Sequence, residues 1–197
     1  MKVVYICAVL LVLFLIVQTV IAASSKKTEQ QIYRVVKKEK DFEIRFYPEA
    51  TMASLNLAAS NYQGVASNGF RKLANYIFGG NQANQSIAMT IPVVLEPSAG
   101  NQDAHVSFYL TDKNPPQPMS STVQITHQTG RYVAAITVTG IVRQSKLDAI
   151  AARLHATLIA QGRECSAIPE FRFYNPPWRL FGHRSDVLFT LTDMPSP

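Results

Sequence analysis

This sequence predicts an α+β domain built on an antiparallel sheet, and three observations carry that reading. Two amphipathic helical stripes occur, one in each half of the chain. Each is preceded by short strand-like runs and followed by two more, so the halves read alike. A polar, proline-rich stretch from Thr111 to Ser121 joins them, as expected between repeated units. Two helices that each cover part of an antiparallel sheet make an α+β architecture.

In order, the first half predicts strands at Tyr33–Val36, Glu43–Phe46 and Thr51–Leu57, then a helix from Tyr62 to Phe78. Ala66, Phe70, Leu73 and Ile77 fall at helical spacing and make its apolar stripe. Gly79 and Gly80 can take the positive φ that ends a helix. Strands follow at Ile87–Leu95 and His105–Leu110, with Pro92 pointing to a strand edge or a bulge. The second half predicts strands at Val123–His127 and Tyr132–Thr139 and a helix from Ser145 to Gln161. Ser145 is its expected N-cap, with Asp148 at capping-box spacing. Leu147, Ile150, Ala151, Leu154 and Leu158 form its buried face, and Gly162 stops it. Strands at Glu170–Tyr174 and Asp186–Leu191 complete the domain.

The chain has 197 residues, of which 47% are hydrophobic and 16% charged, enough for one domain with a real core and too apolar for disorder. Part of the apolar content is the unbroken run Val3 to Val17 after Met1-Lys2. Small residues then precede Ser24-Ser25-Lys26-Lys27, the layout of a secretory signal cleaved after Ala22 or Ala23. Residues 1–23 are therefore a signal peptide or an uncleaved anchor, since 3–23 could just span a bilayer. Residues 24–31 form a polar spacer, and 32–193 form the domain. The folded part is expected to be secreted or periplasmic, or membrane-anchored through its N-terminus.

Without residues 1–23, 19 − 1 basic residues stand against 13 acidic ones, a net +5. That suits an anionic ligand or surface, but no basic run is interleaved with aromatics, which argues against nucleic acid. Cys165 is alone once Cys7 is removed, so no intramolecular disulfide forms, and a buried, inert thiol is expected. Gly-rich phosphate loops, a Gly-x-Ser-x-Gly elbow, paired-cysteine zinc spacing and His-Glu-x-x-His are all missing from the sequence, which points away from an enzyme.

The motifs Tyr76-Ile-x-Gly-x-Asn81 and Met89-Thr-x-Pro-Val93 occur together here. Phe42-Glu-Ile-Arg-Phe-Tyr47 and Tyr33-Arg-Val-Val36 lie upstream. Val106-Ser-Phe-Tyr-Leu110, Pro116-Gln-Pro118, Tyr174-Asn-Pro-Pro177 and Arg184-Ser-Asp-Val-Leu188 lie downstream. In this order, over Tyr33 to Leu191, they resemble the SOUL family of heme-binding proteins. The resemblance implies a distorted antiparallel β-barrel made of two pseudo-symmetric βαββ repeats, with two helices packed on the sheet. It also implies reversible binding of heme or a related tetrapyrrole, for buffering, scavenging or transport. The fold is likewise similar to bacterial effector-binding domains. The alternatives are thus an effector-type module for another apolar molecule, or a hydrolase using the same cleft, marked by a carboxylate of raised pKa.

By the same resemblance, the ligand touches the first helix and the loop after Tyr174-Asn-Pro-Pro177. Those residues are Phe70, Leu73 and Ile77 on the helix and Trp178, Leu180 and Phe181 in the loop, with Arg179 and Arg184 beside the propionates. Arg71 and Lys72 are weaker cation candidates. Read from its residues alone, the loop is either a cap over one end of the sheet or a ligand contact. Of four histidines, His105, His127 and His155 have ordinary surface, turn or helix-edge readings. His183, within the loop, is the best candidate for an axial ligand. Met89 reads as core packing. The first helix carries no histidine, so ligation from it is out of reach.

Overall fold

A computed structural model describes residues 28–58, 62–98, 103–175 and 182–194, with first-helix side chains from Ser67 onward and scattered residues of the N-terminal block. The elements are β1 (Glu29–Gln30), β2 (Arg34–Lys38), β3 (Glu43–Tyr47), β4 (Ala50–Ala58), α1 (Tyr62–Ile77), β5 (Thr90–Ile91), β6 (Val93–Pro97) and β7 (Asp103–Leu110). Then come β8 (Gln124–Gln128), β9 (Arg131–Thr139), α2 (Gln144–Ala160), β10 (Glu170–Phe173) and β11 (Arg184–Thr190). Nine strands form one curled antiparallel sheet in the order β2-β3-β9-β11-β10-β6-β7-β4-β8.

That order displays the repeat. From the central β6–β10 pair, one direction reads β7, β4, β8 and the other β11, β9, β3. Each half is strand, strand, helix, strand, strand, and its leading strand pairs with the other half. β3 sits on β9, and β8 sits on β4. With the central β6–β10 pair, the halves therefore share one sheet and cannot be parted without breaking three ladders.

Strand alternation gives the sheet one apolar face, covered by both helices. Ile44, Ala134, Val187, Phe171, Leu95 and Val106 point into this core. Leu73, Tyr76 and Ile77 bring α1 onto it, and Gly69 lets the helix approach β7 closely, since a Cβ there would lie 3.0 Å from Val106. Leu147, Ala151, Leu154 and Leu158 bring α2 down, with Ile150 half-buried beside them. Burying each such leucine contributes about 1.5–3 kcal/mol. Met89 packs at the edge of this core, as its sequence setting predicts.

Several motif residues turn out to hold the frame. Tyr76 donates its hydroxyl to the Pro116 carbonyl at 2.8 Å, tying α1 to the linker between the halves. Asn81 is fully buried, and its amide donates to the carbonyls of Tyr76 and Gln85 while its oxygen accepts from the Gln85 N–H. Gly79 takes φ +111°, but Gly80 is required for a different reason from the one expected. A Cβ there would meet Asn75 at 2.6 Å.

Three expectations are corrected. Ile87–Leu95 is not one strand, because the cis Ile91–Pro92 bond separates β5 from β6. Ser145 is not the N-cap of α2. Arg143 occupies that position without a side-chain cap bond, and Gln161 with Gly162 at φ +70° closes the helix as predicted. The spacer is not wholly outside the fold, since β1 pairs with β5 and Gln31 is buried. Its side-chain oxygen accepts from Arg172 Nη1 at 2.9 Å.

Candidate functional site

The opposite face of the sheet carries what the helix-covered face excludes. Because strands alternate, every second residue of β3, β9, β11, β10, β6, β7 and β4 turns to this side, and many of these are charged or polar. Charges drawn from distant parts of the chain meet here in two buried clusters.

The first centres on Asp186, which is fully buried. It accepts from Arg45 Nη1 at 2.8 Å, Thr137 Oγ1 at 2.8 Å and the Tyr174 hydroxyl at 2.9 Å. Arg184 also donates to it, through Nη2 at 2.8 Å and Nε at 3.2 Å. Burial alone would raise the Asp186 pKa, but the hydrogen bonds from Arg184 and the charge of Arg45 outweigh it and hold the carboxyl below its usual range. The second cluster centres on Glu170, which accepts from Arg172 Nε and Arg131 Nη2. Arg172 is fully buried and stacks over the Tyr47 ring, 4.0 Å from its centroid. Burial opposes the charge on Glu170, yet the two arginines hold its pKa down at about 2.

Glu96 sits beside this second cluster with the reverse outcome. Burial, then the neighbouring Glu170 carboxylate, push its pKa up to about 7, against weaker help from Arg131. Two carboxyls sharing a hydrogen bond need one proton between them, and Glu96 keeps it. His105 pairs with Glu96 in the β6–β7 ladder, its Nδ1 lies 2.8 Å from Asn56 Oδ1, and burial lowers its pKa. Two cavities meet at Glu96, His105 and Arg131. One, of about 360 Å³, extends to Pro97, Ile168 and Thr190. The other, of about 290 Å³, extends to Met52, Ser54, Val94 and Arg172.

The predicted ligand contacts fall differently. Leu73 and Ile77 are buried under α1 in the core and offer no surface to a ring, which corrects their assignment as contacts. Their spacing marks the helix face that packs on the sheet. Phe70 is half-buried, its ring edge-on to Phe108 at 5.5 Å. Arg184, read as a propionate partner, is engaged by Asp186 and by the Tyr33 hydroxyl at 2.9 Å and stacks on Tyr174. It serves as a structural cation while its side chain stays 30% exposed. Trp178, Arg179, Leu180 and Phe181 lie outside the described residues. His183 is half-buried at the base of that loop, where its carbonyl accepts from the Gly140 N–H at 2.9 Å. His155 lies against Phe189, with centroids 5.2 Å apart. His127 Nδ1 is 3.3 Å from Thr51 Oγ1. Cys165 is half-buried rather than buried, and desolvation, then Asp193, raise its thiol pKa. Among the described residues no cluster of three or more His, Cys, Asp or Glu could hold a metal ion.

Strand register nevertheless puts the expected helix and loop at one end of the sheet. Val93 opens β6 opposite Phe173 at the end of β10 and Phe108 near the end of β7. The end of α1 and the hairpin loop between β10 and β11 both emerge there. Three large apolar side chains are exposed at this end. Phe78 follows α1 at 65% exposure, and Met119, at 67%, donates its N–H to the Gly80 carbonyl. Ile141, at 73%, follows Gly140 beside His183. Sequence reading passed over all three because none belongs to a periodic stripe. Phe78, directly after the Tyr76-Ile77 pair, was the only one with a signal.

Comparison with known proteins matches residues 28–190 to the family described as SOUL heme-binding protein. The chain is similar to Heme-binding protein 1 of Xenopus laevis, 25% identical over 169 residues that cover 79% of this chain and 87% of that protein. It is also similar to Heme-binding protein 2 of Homo sapiens, 33% identical over 92 residues covering 43% of this chain and 45% of that one. Among solved structures, the EcmrR C-terminal domain aligns with a TM-score of 0.57 at 12% identity, over 83% of this chain and 99% of that one. A hydrolase from Listeria innocua aligns with a TM-score of 0.55 at 9% identity, over 80% and 94%. At such identities these structures show the fold alone.

Proposed function

This chain belongs to the SOUL heme-binding protein family, and on that premise we propose that it binds heme or a related tetrapyrrole reversibly, outside the cytoplasm and without catalysing a reaction. The match across 28–190 carries the reading. The residues present fit such a ligand in kind. Exposed Phe78, Met119 and Ile141 stand at the end of the sheet from which the Trp178–Phe181 loop leaves. A porphyrin face laid on that surface gains about 25 cal/mol per Å² removed from water. With Arg184 engaged by Asp186, the propionates are left to Arg179, and to Arg71 and Lys72 on α1. Held this way, heme needs no single histidine. Replacing each of His105, His127, His155 and His183 by alanine is expected to leave hemin bound, with at most a shifted Soret band for His183→Ala. Loss of binding by a folded His183→Ala protein would replace this reading with a proximal-histidine site.

Export rests on the apolar block that precedes Val20-Ile-Ala-Ala23. N-terminal sequencing of protein from the producing cell should find the chain starting near Ala23 or Ser24. Met1 retained in the membrane fraction would make residues 3–23 an anchor, and Met1 retained in the cytosol would end the export proposal. Buffering, scavenging or carriage of the ligand would follow from binding and export together.

Glu96 favours a second reading. It is the cleft carboxylate of raised pKa that a hydrolase would use as an acid or base. The Ser54 and Ser120 hydroxyls pair with Thr126 and Thr122, and the Ser166 hydroxyl donates to the Ile168 carbonyl, so these three serines are engaged by other groups. The family match makes binding the reading preferred.

A further inference from the structure

The polar face of the sheet carries buried cations with donors left over. Arg172 is completely buried, yet among the described residues its Nη2 has no hydrogen-bond partner, and Arg131 leaves its buried Nε unpartnered there as well. Orphaned donors on buried guanidinium groups are costly, so their persistence calls for an acceptor. Both arginines line the 290 Å³ cavity, whose other walls include Met52 and Val94. Two cations and one fully paired carboxylate, Glu170, leave an excess of one positive charge while Glu96 stays protonated.

We propose that this cavity takes a small monocarboxylate, its carboxylate accepting from Arg172 and Arg131 and its apolar part resting against Met52 and Val94. Guanidinium donors suit a carboxylate through their fixed fork geometry. A cation of the same size would face both arginines and gain only Glu96, which must first lose its proton.

Glu96 gives the site a pH dependence. The groups around it are Glu170 and Arg172 from β10, Arg131 from β9 and His105 from β7, with His127 from β8 lining the same cavity. With its pKa near 7, Glu96 is neutral below that pH and adds a negative charge to the cavity above it. Carboxylate affinity therefore falls as pH rises through about 7, and bound carboxylate raises the Glu96 pKa further.

The test is calorimetric titration of the purified protein with benzoate at pH 6 and pH 8, with trimethylphenylammonium as the cationic counterpart. Benzoate should fill one site at pH 6 and bind up to about tenfold more weakly at pH 8, the limit that one group titrating near 7 can impose. Glu96→Gln, which keeps the neutral shape, should bind benzoate alike at both pH values, with folding checked by its melting curve. Hemin added first separates two sources of the carboxylate. Unchanged benzoate uptake means a free acid is the ligand, and lost uptake means a heme propionate reaches the same arginines; either supports the site. No benzoate uptake at pH 6, an unchanged pH dependence in Glu96→Gln, or tighter binding of the cation would overturn it.

Discussion

Asp186→Ala is expected to lower the stability of the domain by about 3–5 kcal/mol, the cost of stripping the partner from buried charges. Asp186 ties Arg45 of β3, Thr137 of β9, Tyr174 after β10 and Arg184 of its own strand together. Without it, Arg45, itself only 2% exposed, keeps its charge with Glu43 and Thr137 as remaining partners. For a chain of this length the melting temperature should fall by roughly 10 °C or more. Asp186→Asn, which keeps the shape and some acceptors, should cost less. The sign of the pH dependence follows from the depressed carboxyl. Its stabilisation is fully present above the ordinary aspartate range and is lost as pH falls through the folded-state pKa. Melting curves of both variants at neutral pH check this, and a loss under about 1 kcal/mol for Asp186→Ala would mean that the cluster is solvated rather than structural.

The Trp178→Ala, Phe181→Ala double variant should do the opposite, weakening hemin binding while leaving the fold nearly intact. Each aromatic ring buries on the order of 150–250 Å² when it is covered. At about 25 cal/mol per Å², less the cost of ordering the loop, a combined loss of roughly 10- to 100-fold in affinity is expected. The hairpin base is tied by bonds of its own. Asn175 Oδ1 accepts the Arg184 N–H at 2.8 Å, and the Tyr174 N–H donates to the Arg184 carbonyl at 3.2 Å. A steep fall in melting temperature, with unchanged hemin binding per folded molecule, would instead make the loop a cap over the end of the sheet.

The helix-covered half of this architecture was legible because periodicity reports it directly. Leu73, Ile77, Leu147, Leu154 and Leu158 occupy the core as their spacing requires. The same spacing misled the choice of ligand contacts, since a stripe marks the face a helix buries, and Leu73 with Ile77 had no surface left for a porphyrin. Phe78, one residue past the stripe, is the exposed ring. The polar face was not legible. Glu43, Arg45, Glu170, Arg172 and Asp186 alternate with apolar residues as solvent-facing positions do, and only the sheet order shows that some of them are buried. Arg45 meets Asp186, and Gln31 meets Arg172, each across 141 residues of sequence. No local pattern encodes such pairs. The spacer was misread at its end for the same reason, because Gln31 reads as polar spacer until Arg172 is placed against it.

Heme binding by the folded domain is tested most directly by an absorption titration of the purified protein with hemin. One hemin per chain should bind, with a Soret band that shifts and saturates, while an amphipathic dye that is not a tetrapyrrole competes poorly at equal concentration. A spectrum that grows in proportion to added hemin without saturating, or uptake of the dye equal to that of hemin, would contradict a tetrapyrrole site and leave a general apolar cleft in its place.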